Sequence, residues 1–508
     1  MNRRLFLKNA ATVAGATLAA QELLAQTAAP TVAATPAGAA TPAGAALAVA
    51  AAPQATIGIA TAIGPLVQGD IGAVLDDMQQ RGAVNAVFPF IYTHVLERAG
   101  LPAAGFRGGN YAMPHMQYYK DVPLTFDDMR APELGTVDVF ERLIPAAQKR
   151  GMKTYAWILE DNVRPNVAHW ESLYEIDAHG RRGARHPSGP CNNHPQYRAY
   201  LMGLVEDYIR SYPIDGVMWG SERQGAVHNV LGAFHNGART DPGLATCFCE
   251  FCLKKAKDRG IDAERARTGF AALEQFVRNG RAGQRPGDGY FVSFYRLLVK
   301  YPELLAWENL WVQSRHELQA QLYQKIKALN PAMPVGWHLW HNISFSPFHR
   351  AEEDYADYVP FSDYLKPVLY SNCAGERMRS FTESVHQNVY GDSPAPETMA
   401  MLYQQLNYNE AAYDRVAAAG LSADYVGRET ARALAGVAPA KVQVWPGLDI
   451  DVPTGAGSSK CTPESVKATV RAAFQAGAQG LILSRNYAEM TPANLAAAGD
   501  AIREMGKA

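Results

Sequence analysis

The chain has 508 residues, with 48 Lys and Arg against 49 Asp and Glu, and its formal net charge at pH 7 is -1. This balance gives no global basic surplus of the kind that attracts nucleic acid or an anionic membrane surface, so we expect neither as a partner. Hydrophobic residues make up 48% of the chain, which is enough for a large buried core.

The N-terminal segment has the pattern of an export signal. Arg3 and Arg4 precede an uncharged, alanine-rich stretch at 10–20, as in twin-arginine signal peptides. This stretch is well short of the roughly 20 residues that cross a bilayer, so stable membrane insertion is the weaker alternative. We predict a signal peptide over 1–28, an Ala/Pro/Thr-rich linker over 29–56, transport by the Tat translocon, and a periplasmic or extracellular protein.

Short apolar runs alternate with helical patterns from residue 57 to the C-terminus. Apolar residues at i, i+3, i+4 spacing mark the helices, and several helices end in Gly or Asn just before the next run. Eight strand–helix units predict a (β/α)8 TIM barrel over 57–508, with a doubly wound α/β sheet as the alternative. The predicted strands are Ile57–Ile63, Ala86–Tyr92, Lys153–Leu159, Gly216–Trp219, Val335–Trp340, Leu365–Tyr370, Val442–Trp445 and Gly480–Leu483.

Two connections are too long to be plain turns. One covers about residues 93–136 after the second predicted strand, and the other covers 222–301 after the fourth. Both follow the C-terminal end of a strand, where TIM barrels build their active sites. We therefore expect long insertions there that shape a substrate cleft.

Three of the six cysteines lie in the segment CFCEFC at 247–252. Disulfides are natural in an exported protein, but three cysteines this close leave one thiol over. Thiolates at this spacing can instead converge on one tetrahedral zinc ion, and Cys191 is a candidate fourth ligand. We predict a structural zinc at Cys191, Cys247, Cys249 and Cys252, with disulfides or free thiols as alternatives, and no organic cofactor.

Cys191 opens the segment CNNHPQYR at 191–198, and this segment and the CxCxxC group flank the fourth predicted strand. The arrangement resembles the family 42 β-galactosidases, whose structural zinc is held by a cysteine in a CPNSPxYR segment before the fourth strand and a CxCxxC group after it. The match covers about residues 185–255. The resemblance implies a glycoside hydrolase barrel with a carbohydrate substrate.

Glu222 follows the fourth predicted strand in the segment DGVMWGSER at 215–223. Glycosidases use one carboxylic acid to protonate the leaving oxygen and a second carboxylate to attack or stabilise the sugar cation. The resemblance implies that Glu222 is the general acid/base, because the family's glutamate lies between the same two cysteine motifs. That family has Asn before this glutamate, whereas this chain has Ser221. The alternative is that Glu222 pairs with Arg223 or another cation in a loop.

The second carboxylate is expected at the end of the seventh predicted strand. The family's nucleophile there is a glutamate, and the segment VQVWPGLDID at 442–451 contains none. Asp449 is the nearest substitute, with Asp451 in reserve. Both side chains are shorter than glutamate, which changes the gap between the two carboxyl groups.

Other polar and aromatic residues near the predicted strand ends are expected around the sugar. Polar groups there would bind sugar hydroxyls, and tryptophan faces would stack on the C–H faces of the rings, with plain barrel core as the alternative for each tryptophan. The expected substrate-binding residues are Glu160, Asp161, Trp219, Arg223, His338, Trp340, Arg377, Trp445 and Asp451.

We therefore predict a secreted glycoside hydrolase that cleaves an oligo- or polysaccharide with Glu222 and Asp449. Two alternatives belong to other classes, because barrels host many chemistries. A non-catalytic carbohydrate-binding barrel is favoured by Ser221 and by the missing glutamate of the seventh strand. A metal-dependent hydrolase or isomerase would use His338 and His341 as ligands.

Overall fold

The computed structural model describes residues 55–93, 109–131, 134–160, 171–182, 189–235 and 241–508. The predicted signal peptide, nearly all of the predicted linker and Asp161 lie outside these residues. None of the helices in the described part of the chain is both long and apolar enough to cross a bilayer.

Eight parallel strands form a closed barrel, as predicted. The first strand pairs in parallel with the second, with Gly58 opposite Ala86, and also with the last, with Thr56 opposite Gly480. This double pairing closes the sheet, which confirms the (β/α)8 TIM barrel over the doubly wound alternative. The strands are, in order, Thr56–Thr61, Ala86–Thr93, Lys153–Leu159, Gly216–Gly220, Val335–Leu339, Tyr364–Leu369, a seventh strand in two pieces at Gln443–Val444 and Gly447–Asp449, and Gly480–Ser484.

The seventh strand extends further than the sequence predicts. Its predicted end was Trp445, but the strand resumes at Gly447 and ends at Asp449. Pro446 lies at the break, and proline cannot donate a hydrogen bond to a neighbouring strand. Asp449 is therefore the last residue of a barrel strand rather than part of a following loop.

The main helices lie between the strands, and some of them begin at capping side chains. Asp138 accepts hydrogen bonds from the amides of Phe140 and Glu141, and Thr462 forms a capping box with Ser465. The principal helices between and after the strands are Ile71–Gly82, Val139–Gln148, Pro195–Ser211, Glu303–Leu329, Ser371–His386, Ala395–Leu406, Ala423–Val437, Pro463–Gln475 and Pro492–Glu504.

The long insertion after the fourth strand is helical. It contains Ala226–Leu231, Glu250–Asp258, Ala263–Arg281 and Tyr290–Lys300. The described part of the insertion after the second strand contains a two-residue antiparallel strand and two short helical turns, at Gly109–Asn110, Met116–Tyr118 and Phe126–Met129. Further short helical segments are Gly64–Val67, His341–Ser344, Pro347–Glu352, Tyr355–Tyr358, Val359–Phe361, Val416–Ala419 and Tyr487–Glu489.

The alternating direction of side chains along the strands divides the core into two parts, one inside the barrel and one between the barrel and the helices. Side chains that point inward fill the barrel, and their neighbours in sequence point outward to the helices. The inward set includes Trp157, Met218 and Tyr364, whereas Trp219 and Trp337 belong to the outer set. This division decides which residues at the strand ends face the barrel mouth.

Candidate active site

Three polar side chains lie where the apolar interior of the barrel ends at its C-terminal face. Lys366 is on the sixth strand, two residues after the inward-pointing Tyr364, and His338 is on the fifth. Glu222 follows the fourth strand by two residues. Lys366 Nζ lies 3.1 Å from His338 Nδ1, and His338 Nε2 lies 3.4 Å from Glu222 Oε1. We call these three residues the Lys–His–Glu relay.

Lys366 is fully buried at the inner end of the relay. Its Nζ lies 4.8 Å from the centroid of the Trp157 ring and 3.4 Å from the Tyr370 hydroxyl. Burial lowers the pKa of Lys366 to about 7, although the negative charge of Glu222 favours the protonated amine. Gly447 makes room for this side chain, because a Cβ at Gly447 would lie 2.4 Å from Lys366 Cε.

His338 is a neutral imidazole between the amine and the carboxylate. Burial and the charge of Lys366 lower the pKa of His338 to about 4. Protonated Lys366 can donate only through its N–H groups, so the Nδ1 atom of His338 accepts and its Nε2–H donates toward Glu222. When Glu222 loses a proton, the Nε2–H of His338 can therefore donate a hydrogen bond to the carboxylate while Lys366 donates to Nδ1 of the same ring.

Glu222 is the exposed end of the relay, since its side chain is 36% exposed whereas that of His338 is 3% exposed. A carboxyl group with this placement can meet a ligand from the solvent side and a proton donor from the protein side. Ser221, which precedes Glu222, hydrogen-bonds Glu160. Ser221 thus has a structural partner behind the fourth strand.

Asp449 lies at the end of the seventh strand in a second polar group. Only 2% of it is exposed, and its carboxylate accepts hydrogen bonds from the amides of Val452 at 2.9 Å and Cys373 at 3.1 Å. Burial raises the pKa of Asp449 to about 6, although these amides and Arg377 favour the ionised form. The aspartate is held rigidly and is less accessible than Glu222.

Tyr370 connects the two polar groups. Its hydroxyl accepts from Lys366, and its ring lies 5.2 Å from that of His341. An Arg377 guanidinium nitrogen lies 2.7 Å from His341 Nδ1, and Arg377 also lies 6.0 Å from the centroid of the Tyr370 ring. The fifth, sixth and seventh strands therefore contribute to one continuous polar mouth.

The histidines do not form the metal site that one alternative requires. His341 uses Nδ1 to accept from Arg377, and its Nε2 lies 3.2 Å from the Tyr425 hydroxyl. Both ring nitrogens of His338 face partners in the relay. Since a metal ligand must offer a free ring nitrogen, the geometry disfavours chemistry on a metal held by His338 and His341.

Glu160 and Trp219 point away from the barrel mouth. Leu159 points inward, so Glu160 points outward, where its carboxylate accepts from the Trp219 indole at 2.9 Å. Burial raises the pKa of Glu160, while Arg223 lowers it. Glu160 and Trp219, which the sequence predicts around the sugar, are therefore paired with each other on the outer side of the barrel.

Arg223 also has a structural role instead of the predicted contact with sugar. It forms a buried ion pair with Glu175 at 2.5 Å and donates to the carbonyl of Pro190 at 3.0 Å. Pro190 directly precedes Cys191, so Arg223 fixes the segment after the fourth strand to the first cysteine segment.

Trp445 lies near the N-terminal end of the barrel, far from the expected cleft along the strands. Its ring stacks on that of Tyr364, the first residue of the sixth strand, with centroids 3.9 Å apart. After the break at Pro446 the seventh strand resumes at Gly447, so Trp445 lies before its second piece and not at its C-terminal end. Trp445, which the sequence predicts around the sugar, is therefore packed in the barrel core.

Asp451 is occupied by the C-terminal helix. Its carboxylate accepts from the amide of Thr491 at 2.8 Å and from the side-chain amide of Asn494 at 2.7 Å. Both partners lie in the N-terminal turn of the helix Pro492–Glu504 or just before it. Asp451, which the sequence predicts to bind substrate, is therefore held at this helix terminus.

Trp340 remains a candidate sugar platform, because it follows the fifth strand and is partly exposed. Its ring lies 5.2 Å from that of His235 and 5.6 Å from that of His349. Arg377 is likewise partly exposed beside the mouth. These two predictions stay open, whereas Asp161 lies outside the described residues.

The four predicted cysteine ligands converge at one buried point. Cys191 Sγ lies 3.5 Å from the Sγ atoms of Cys249 and Cys252, all four sulfur atoms lie within 4.8 Å of one another, and none forms a disulfide. Sulfur atoms bound at about 2.3 Å to one tetrahedral zinc lie about 3.8 Å apart. The amide of Asn193 donates to Cys191 Sγ and its side chain donates to Cys252 Sγ, both at 3.3 Å. The residues present therefore fit a zinc ion.

Sequence reasoning missed Lys366 and Tyr370. The sequence does contain one indication, a lysine inside an otherwise apolar strand. Burying its charged amine costs free energy unless the amine has a partner or a functional role. Tyr370 is the last residue of the same predicted run. Its importance depends on Lys366 and His341, which approach it only in the closed barrel.

Together these features define a closed (β/α)8 barrel with a buried polar relay at its C-terminal mouth and a separate cysteine cluster. Comparison with models of known families gives no match, and comparison with curated proteins gives none either.

Solved structures with a similar fold include the following three proteins. The β-galactosidase from Halorubrum lacusprofundi is 15% identical, with a TM-score of 0.49 over 89% of this chain and 58% of that one. The PgaB glycoside hydrolase domain from Bordetella bronchiseptica is 12% identical, with a TM-score of 0.47 over 88% and 98%. The α-L-fucosidase isoenzyme 2 from Paenibacillus thiaminolyticus is 14% identical, with a TM-score of 0.46 over 89% and 49%, so this chain spans about half of its length.

Proposed function

We propose that the protein is a glycoside hydrolase in which Glu222 is the general acid/base. The observation that carries this proposal is the relay, which gives a partly exposed carboxyl group at the barrel mouth a buried route for its proton. Lys366 and His338 act as positioning residues, because both are buried and His338 contacts Glu222 directly. The position of Glu222 between the two cysteine segments also matches the resemblance to the family 42 β-galactosidases.

Asp449 is the proposed partner carboxylate. The amides of Val452 and Cys373 fix its orientation at the end of the seventh strand. A carboxylate fixed in this way can stabilise the positive charge that develops on the sugar without moving. Arg377 and Trp340, which flank the mouth, are the proposed contacts to the rest of the sugar.

Hydrolysis of a panel of chromogenic aryl glycosides tests this function. We expect the wild type to release the phenol and Glu222→Gln to lose activity by about 10²- to 10⁴-fold, the usual contribution of a general acid/base. Glu264→Gln is the matched control, since that glutamate is 85% exposed on the insertion. Full activity in Glu222→Gln would reject the proposed role.

The second candidate is a carbohydrate-binding barrel without catalysis. It is favoured by the burial of Asp449, which leaves little of the second carboxylate open to a sugar. Calorimetric titration with the same sugars distinguishes the two functions. Binding of unmodified oligosaccharides, without hydrolysis of any glycoside by the wild type, would support this candidate over the hydrolase.

The cysteine cluster is the proposed structural zinc site. Cys191, Cys247, Cys249 and Cys252 would hold the ion, and its chemistry there is to join the segments on either side of the fourth strand. Elemental analysis should give at least one zinc per chain for the wild type, and about one fewer for Cys249→Ser. Loss of 2 Da per bridge in the intact mass, with no zinc, would instead show disulfides.

Export by the Tat translocon is proposed from Arg3 and Arg4. A translocon that carries folded proteins would let the four thiolates bind zinc in the reducing cytoplasm, before an oxidising compartment could pair them. Replacing both arginines by lysine should retain the protein in the cytoplasm. The zinc content of protein routed unfolded through Sec should be lower than that of the Tat-exported protein, and equal contents would remove the link.

A further inference from the structure

A second cluster of potential metal ligands lies outside the barrel mouth. It consists of His228 on the helix Ala226–Leu231, Glu308 on the helix Glu303–Leu329 and Glu352 at the end of Pro347–Glu352. The three residues are 8%, 6% and 4% exposed, respectively. His228 Nδ1 lies 3.1 Å from Glu308 Oε1 and 2.8 Å from Glu352 Oε1.

These contacts are close but are not aligned as hydrogen bonds. His228 Nδ1 and Glu308 Oε1 are buried, and neither has a hydrogen-bond partner of acceptable geometry. The ring nitrogen therefore lies within 3.1 Å of a carboxylate oxygen of each glutamate without a well-aligned hydrogen bond to either. A buried donor or acceptor without a partner carries a substantial desolvation cost, which an atom placed between the three groups would offset.

The spacing fits a metal ion at that point. Two ligand atoms that each lie about 2.1 Å from an ion, at right angles to one another, are about 3.0 Å apart. The two measured separations, 3.1 and 2.8 Å, bracket this value. The neighbouring cation Arg315 is engaged elsewhere, because it forms a buried ion pair with Glu353.

The surroundings hold both carboxylates in this orientation. The amide of Val227 donates to Glu308 Oε2 at 2.7 Å, and the amide of Gly225 donates to Glu352 Oε1 at 3.2 Å. A Cβ at Gly225 would lie 2.3 Å from Glu308 Oε1, so only glycine permits this approach. Such contacts around the ligands are typical of metal sites.

We propose that His228, Glu308 and Glu352 bind one divalent first-row transition metal ion, with water completing its coordination. One imidazole nitrogen and two carboxylate oxygens suit manganese, iron or zinc better than a thiolate-seeking ion. The ion joins the segment that follows Glu222 to two helices of the outer layer. Its role is to fix that segment, and this role is independent of which reaction Glu222 performs.

Total metal content after equilibration with Mn²⁺ and gel filtration tests the proposal. The wild type should carry one more first-row metal ion per chain than Glu308→Gln/Glu352→Gln, whether that ion is Mn²⁺ or one acquired during expression. Thiolates are poor ligands for Mn²⁺, so the cysteine cluster contributes equally to both proteins. The exposed Glu264→Gln variant is the control and should match the wild type.

Two further measurements separate metal loss from unfolding. Equal zinc in the cysteine cluster and equal near-ultraviolet circular dichroism would show that the double variant is folded. Excess Mn²⁺ should then raise the Tm of metal-depleted wild type by about 2–4 °C and leave the double variant unchanged. Identical metal content and identical Tm response in the two folded proteins would overturn the proposal.

Discussion

Lys366 lowers the stability of the fold although it belongs to the candidate active site. Its amine is buried against Trp157 and Tyr370, and the cost of burying a charge lowers its pKa from 10.5 to about 7. Between these two values the unfolded chain binds a proton that the folded protein does not. Folding stability therefore increases as the pH rises from 7 to 10.5, and the free-energy cost of burying Lys366 is largest below pH 7.

Replacing this amine by an apolar side chain of similar length should stabilise the fold. We expect Lys366→Met to increase the free energy of unfolding by about 1–4 kcal/mol at pH 6, because no charge is then buried. The difference from the wild type should shrink as the pH rises toward 10. Urea unfolding at a series of pH values measures both effects. A destabilised Lys366→Met variant at pH 6 would contradict the assignment of a costly buried charge.

His338 should affect the pH dependence of activity rather than only its size. The ring transmits the charge of Lys366 to Glu222, so His338→Phe would isolate the carboxyl group from the amine. We expect the pH profile of kcat/KM to shift on at least one limb, with kcat reduced about 10-fold or more. A uniformly lower profile of unchanged shape would show a merely structural role for the histidine. His338→Asn, which restores a polar contact, should recover part of the lost rate.

At the scale of secondary structure, Asp451 connects the end of one strand to the start of the last helix. Its carboxylate binds Thr491 and Asn494, some 40 residues later in the chain. Asp451→Ala should lower the free energy of unfolding by about 0.5–2 kcal/mol, as expected for the loss of a helix N-terminal partner. Its kcat/KM should stay within about 3-fold of the wild type. A large loss of activity in a stable variant would restore Asp451 to the substrate site.

The strands themselves were predictable because each is a short apolar run between turn signals. The direction of each side chain was not, since the two faces of a fully buried strand are both apolar. For this reason the sequence did not show that Glu160 and Trp219 lie on the outer side of the barrel, or that Trp445 lies near its N-terminal end. Lys366 was overlooked because its partners come from different strands. The positions of Glu222 and the four cysteines could be predicted because each lies in a local sequence motif. The partners of Asp451 could not, because they belong to a helix about 40 residues later in the chain.

At the scale of the whole molecule, the cysteine cluster links segments on both sides of the strand that leads to Glu222. Cys191 and Cys252 are 61 residues apart in sequence. If zinc fixes this link, a strong chelator should lower the Tm of the wild type by on the order of 5 °C. Differential scanning fluorimetry measures the change, and Cys249→Ser should show little further response to the chelator. An unchanged Tm after complete zinc removal would contradict a structural role.

The aromatic layer at the N-terminal end of the barrel also bears on how fast the relay can exchange protons. Tyr155, Tyr364 and Trp445 pack there with ring centroids 3.9 to 6.2 Å apart, below the level of Lys366. Solvent that enters from the mouth meets Glu222 before His338, because the Glu222 side chain is 36% exposed and that of His338 is 3% exposed. A ligand seated over Glu222 would then close this route, and the protonation state of Lys366 at the moment of binding would persist while the ligand remained bound.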